Sequence, residues 1–205
     1  MGRVEHAAKN IAFGYVGNIA SMILGFILRS VFIMKLNETL LGVNGLYTSV
    51  LSMLSLAELG IGTALNYSLY GPVARKDTEK IKSYMQLDKK AYYSIAVVVA
   101  VIGICISPFL RYIIKNPGTY TVRELTIYYY IFLFNTVSTY FVSYKYSLVN
   151  AEQKNYIQTN VATLTKLVTV VLQIIVLFLT QNFMVYLLTA AGVELAQKIF
   201  VNQYL

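Results

Sequence analysis

The chain has 205 residues, 57% of them hydrophobic and only 13% charged, and its mean hydropathy is +0.60. Soluble domains carry roughly 25% charged residues, so this composition suits a lipid environment. The single cysteine, Cys105, and the single histidine, His6, exclude an internal disulfide framework, a thiolate metal cluster and a Ser-His-Asp triad within the apolar part. No cofactor or metal is called for.

Met1–Asn10 is short and polar and lacks the small-residue cleavage site of a secretory signal. Six apolar runs follow, at about 11–34, 43–69, 91–114, 125–148, 157–179 and 183–201. Each reaches the ~20 residues that cross a bilayer, the last one barely. The expected fold is an all-α integral membrane protein, a single transmembrane domain over 1–205 built as a six-helix bundle.

Lys and Arg fix the expected orientation. With the amino terminus inside, the inner segments hold Arg3 and Lys9, then Arg75, Lys76, Lys80, Lys82, Lys89 and Lys90, then Lys154. The outer loops hold Lys35, then Arg111, Lys115 and Arg123. Both termini are expected in the cytoplasm. This distribution accounts for most of the net charge of +8 without nucleic acid as a partner.

The polar residues inside the spans carry the functional information. In the first span Asn18, Ser21, Gly25 and Arg29 share a helical face. Arg29 lies roughly 8 Å below the outer end at 1.5 Å per residue, so either snorkelling or a place on a polar path suits it. The second span gathers Thr48, Ser52, Ser55, Gly62 and Asn66 on one stripe, with Glu58 beside it. Between Arg75 and Lys90, Asp77 or Thr78 is placed to cap a helix with a narrow apolar edge of Ile81, Tyr84 and Met85. That helix reads either as a basic element on anionic headgroups or as an ordinary positive-inside loop.

The fourth span adds Asn135, Ser138 and Thr139 and many tyrosines from Tyr128 to Tyr146, suited to packing, to an interface belt or to sugar stacking. The fifth carries Thr159, Thr163, Lys166, Thr169, Gln173 and Thr180 as a polar stripe. Lys166 and Glu58 sit at similar depths, roughly 14 and 16 Å from the inner boundary, so the two are expected to pair. In the sixth, Glu194 and Lys198 are one turn apart and placed to pair with each other. Such groups either fix helix packing or line a polar cavity, and intramembrane charge points first to the cavity. The candidate path residues are Asn18, Arg29, Glu58, Asn66, Lys166, Gln173, Glu194 and Lys198.

The block LLGVNGLYTSVLSMLSLAELGIGTALNYSLYGPVARKDTEKI, then KKAYYSI, together with the earlier LRSVFIMKL and the later YFVSYKYSLVNAEQKNYI, resembles bacterial polysaccharide repeat-unit flippases. These belong to the multidrug/oligosaccharidyl-lipid/polysaccharide exporter superfamily, and the resemblance covers essentially the whole chain. It implies two lobes of about six helices around a central cavity in the bacterial cytoplasmic membrane. It also implies passage of an undecaprenyl-pyrophosphate-linked oligosaccharide, for capsule, exopolysaccharide or O-antigen synthesis, by alternating access. Arg29 and Lys166 are then the candidates for the cationic lumen. The chain corresponds to the amino-terminal lobe, as a fragment, a truncated reading frame or half of a split transporter.

Two other classes remain. A cation-coupled small-molecule exporter of the same fold would use Glu58 as its proton or sodium site. A non-transporting membrane assembly partner needs no lumen at all. An enzyme of polyprenyl lipids is not expected, because no loop offers the acidic or histidine cluster such chemistry uses.

Overall fold

The computed structural model describes residues 3–55, 59–114 and 118–204. Among them there is no strand. The helices are α1 (Arg3–Lys35), α2 (Glu38–Ser55), α3 (Leu59–Arg75), α4 (Thr78–Ile106), the short α5 (Leu110–Ile113) reached through a 3-10 turn at Ser107–Phe109, α6 (Val122–Ala151), α7 (Asn155–Thr180) and α8 (Phe183–Tyr204).

Five of these are long and apolar enough to cross a membrane, counting α4 to α5 as one continuous rod from Thr78 to Ile113. That pattern marks a multi-pass, all-helical membrane protein. It corrects the expected six-helix count. The run expected at 43–69 is shared between α2 and α3, which have 18 and 17 residues. Asn44, Thr48, Ser49 and Ser52 dilute α2, and Gly60, Gly62, Asn66 and Ser68 dilute α3, so neither half crosses on its own hydropathy. Residues 56–58, Glu58 among them, lie outside the described residues, and so does the expected Glu58–Lys166 pair.

Local chemistry sets the helix ends. Asn37 Oδ1 accepts from the Leu40 amide at 2.9 Å and Asp77 Oδ1 from the Lys80 amide at 3.1 Å, satisfying amides that a helix start leaves open. Between α3 and α4, Lys76 takes φ of 54° to turn the chain back on itself. The segment from Arg75 to Lys90 is therefore neither a loop nor a separate surface helix, because beyond the Asp77 cap it runs without a break into the third span. Thr121 and Glu124 form a complete capping box at the start of α6. Gln181, at φ of 48°, closes α7, and Asn182 Oδ1 receives the Met184 amide at 2.8 Å.

α6 is the centre of the bundle. It packs against α3 and α4 on one side and against α7 and α8 on the other, with α1 laid along α7. Close approach depends on small residues. A Cβ at Gly17 would meet Thr163 Oγ1 at 2.7 Å, and one at Gly103 would meet Leu133 Cδ1.

The apolar side chains face two ways. Leu28, Phe32, Leu40, Val43, Tyr47, Leu125, Tyr128, Tyr129, Leu177, Phe183 and Tyr186 form a buried core at the end where α1 turns into α2 and α7 into α8. Others point outward: Met22 and Phe26 on α1, Val97 and Val101 on α4, Leu164 and Leu179 on α7 are all exposed. A water-soluble protein does not leave so much contiguous apolar surface open; lipid covers it.

A polar cavity closed by an aromatic floor

Between α1, α2, α6, α7 and α8 lies a cavity of about 590 Å³. At one end it stops against an aromatic cluster. Phe32 meets Phe183 and Tyr186 edge-on at ring separations of 5.8 and 5.2 Å, and Tyr128 meets Phe183 at 4.9 Å. From that floor the cavity runs toward the opposite end of the bundle, past Lys166, Thr169 and Glu194 to Gln158, Tyr146 and Gln197.

One wall is a closed hydrogen-bond network. Lys198, 6% exposed, donates from Nζ to the Asn135 carbonyl, to Asn135 Oδ1 and to Ser138 Oγ, each at 2.8 Å. Asn135 Nδ2 donates to Glu194 Oε2 at 2.6 Å, and Glu194 Oε2 stands 3.8 Å from Lys198 Nζ. The pairing expected from the one-turn spacing of Glu194 and Lys198 is thus present. Its main partner, Asn135, comes from α6, some sixty residues away, and no spacing rule reaches that far. Gln173, 4% exposed, donates from Nε2 to the Tyr186 carbonyl at 3.3 Å and joins α7 to α8.

The other wall is cationic. Arg29 and Lys166 line a smaller pocket of about 280 Å³ with Asn44, Phe32 and Tyr186, immediately beside the aromatic floor. Lys166 also lines the main cavity and joins the two spaces. Neither Arg29 nor Lys166 has a salt bridge among the described residues, whereas Lys198 does. The cavity and its annex thus hold one compensated ammonium and two cations that have no carboxylate partner among the described residues.

The remaining candidates separate. Lys166, Gln173, Glu194 and Lys198 line the main cavity, and Arg29 borders its annex. Asn18 is exposed on α1 and borders neither. Asn66 lies on α3, on the far side of α6, and Gly62 faces Tyr92 of α4. Thr48, Ser52 and Ser55 do face a common space with Asn135 and Glu194. On α7 the expected stripe divides. Thr159 and Thr163 pack against Gly17, while Gln158, Thr165, Thr169 and Gln173 face the cavity.

Sequence reasoning missed Asn44, Gln158, Thr165 and Gln197 as cavity residues. Asn44 was detectable, one turn before Thr48 on the same stripe. Gln158 and Thr165 were hidden by α7 having polar residues on two adjacent faces. The tyrosines of α6 also divide: Tyr128, Tyr129 and Tyr140 are buried packing residues, and Tyr146 lines the cavity. Tyr129 OH donates to the Gly103 carbonyl at 3.0 Å, which makes it a tie to α4. No family model, no curated protein and no solved structure matches this chain.

Proposed function

We propose that the chain forms one lobe of a membrane transporter that carries a polyprenyl-pyrophosphate-linked oligosaccharide across the bacterial cytoplasmic membrane. The observation that carries this reading is the pair of cations, Arg29 and Lys166, in the annex beside the aromatic floor, with no carboxylate partner among the described residues. A diphosphate enters a low-dielectric bundle only with compensating positive charge. Arg offers phosphate a planar fork of donors and Lys a point charge. Tyr146, on the cavity wall, offers a flat face for a sugar ring. The resemblance of the second-span block to polysaccharide repeat-unit flippases points to the same substrate.

The cytoplasmic placement of both termini belongs to this proposal. With that orientation the cavity leads from the aromatic floor toward the cytoplasm, the side on which a lipid-linked repeat unit is assembled.

The test is surface polysaccharide output in cells lacking their own flippase, complemented by this chain together with the second lobe such transporters carry. Arg29→Lys lowers output partially and Arg29→Ala severely, at unchanged membrane abundance. Full output from both Arg29→Ala and Lys166→Ala at normal abundance overturns the reading and reduces these charges to packing devices.

A further inference from the structure

On the far side of α6 from the cavity, where α3, α4 and α6 meet, lies a second polar cluster that the transport reading does not use. Asp88 of α4 is 0% exposed, and neither of its carboxylate oxygens has a hydrogen-bond partner among the described residues. Ser147 of α6 is 2% exposed, and its hydroxyl is likewise unpartnered. It lies beside Asp88 but outside hydrogen-bond geometry. Asn150, one turn along α6, and Asn66 on α3 each bury an Oδ1 atom that has no hydrogen-bond partner among the described residues.

Helix register brings Asn66, Asp88 and Ser147 to one level, with Asn150 one turn beyond Ser147 on the same face of α6. α3 and α4 form an antiparallel hairpin in which Gly62 faces Tyr92. One turn nearer the hairpin bend on each helix are Asn66 and Asp88. Between α4 and α6, Tyr129 reaches Gly103 and the Tyr93 ring meets Phe141 edge-on at 5.1 Å. The same antiparallel register sets Ser147 opposite Asp88.

Buried oxygens without donors are costly, and a buried carboxylate without a partner more so. Asp88 has no salt bridge among the described residues. Its sequence neighbours Lys89 and Lys90 are exposed, and Lys89 Nζ sits over the Tyr93 ring instead. A proton on Asp88 would supply one donor and leave the other oxygens unsatisfied. A cation satisfies them together. Hard cations take oxygen ligands, and a single carboxylate among neutral oxygens balances one positive charge rather than two.

We propose that Asp88, Ser147, Asn66 and Asn150 form a binding site for a monovalent alkali cation, with Asp88 supplying the charge and the others neutral oxygens. The cation joins α3, α4 and α6 at the end of the bundle that bears the α3–α4 turn. The site stands independently of the substrate carried in the cavity.

The probe is sodium, and the readout is the circular-dichroism melting temperature of the purified full chain in detergent. Sodium chloride replaces choline chloride at fixed ionic strength. A ligand at a hundred times its dissociation constant raises the melting temperature of a chain this size by about 5–10 °C. The expected result is a saturable rise of that size in sodium, absent in Asp88→Asn, with half-saturation moved to higher sodium in Ser147→Ala. Equal melting of the unsubstituted chain in sodium, potassium, lithium and choline chlorides overturns the proposal. So does a sodium response retained by Asp88→Asn. Should Asp88→Asn not fold, an unchanged half-saturation in both Ser147→Ala and Asn150→Ala overturns it equally. Insensitivity to cations combined with a rise in melting temperature from pH 8 to pH 5 assigns a proton to Asp88 instead.

Discussion

The Asn135–Glu194–Lys198 network makes a prediction with unequal arms. Lys198→Met keeps most of the aliphatic stem but removes the ammonium. Three hydrogen bonds at 2.8 Å disappear with it. The Asn135 carbonyl keeps its bonds from Ser138 Oγ and Thr139 Oγ1, so the group left unsatisfied is Asn135 Oδ1. Hydrogen bonds between membrane helices average about 0.6 kcal/mol in double-mutant cycles, so three of them contribute about 2 kcal/mol. Relief of the buried ammonium's desolvation offsets part of this, and the orphaned amide oxygen adds to it. The net loss is about 2 kcal/mol.

Glu194→Gln behaves differently. The Glu194 side chain is 38% exposed and its ion pair spans 3.8 Å, so solvent screens it. Its amide oxygen still accepts from Asn135, and the loss stays below about 1 kcal/mol. In thermal melts of the purified chain, Lys198→Met therefore lowers the midpoint by about 4–8 °C and Glu194→Gln by less than half as much. Equal losses from the two variants would refute the claim that Asn135, rather than the ion pair, is what Lys198 holds.

Two further outcomes test the frame. Gly103→Ala drives a Cβ into Leu133, where the contact with Cδ2 would fall to 2.9 Å; overpacking of about 1–2 kcal/mol lowers the melting point, and the same substitution made in a Leu133→Ala chain lowers it by less. Ser83 is exposed on α4 below the span; a cysteine there, in a Cys105→Ser background, reacts with an impermeant thiol reagent only after the cell membrane is broken, and labelling in intact cells reverses the proposed orientation.

The sequence was most legible where a rule is local. The Asp77 cap and the Glu194–Lys198 pair each depend on spacings of three or four residues, and both are present in the structure. Run length identified the apolar helices at 91–114, 125–148, 157–179 and 183–201, because crossing a bilayer demands length. At 43–69 it did not carry over: among the described residues the run divides into α2 and α3, neither apolar and long enough to cross alone. Depth and face were harder to read. α7 is polar on two sides, and only contact with Gly17 shows that Thr159 and Thr163 belong to packing while Thr165 and Gln173 belong to the cavity. The joining of Arg29 to Lys166, and of Asn135 to Lys198, depends on which helices become neighbours, and no periodicity encodes that.

The aromatic floor has an electrical consequence. If water fills the cavity it conducts, and in a membrane it then carries the potential of its open side nearly to Phe32, Phe183 and Tyr186. The voltage then falls across that thin dry layer instead of the roughly 30 Å of hydrocarbon. A unit charge taken through the full drop changes energy by about 2.3 kcal/mol per 100 mV. Arg29 and Lys166, beside the layer, occupy the steepest part of the field. Any motion that opens the floor is thereby coupled to the membrane potential through two fixed positive charges.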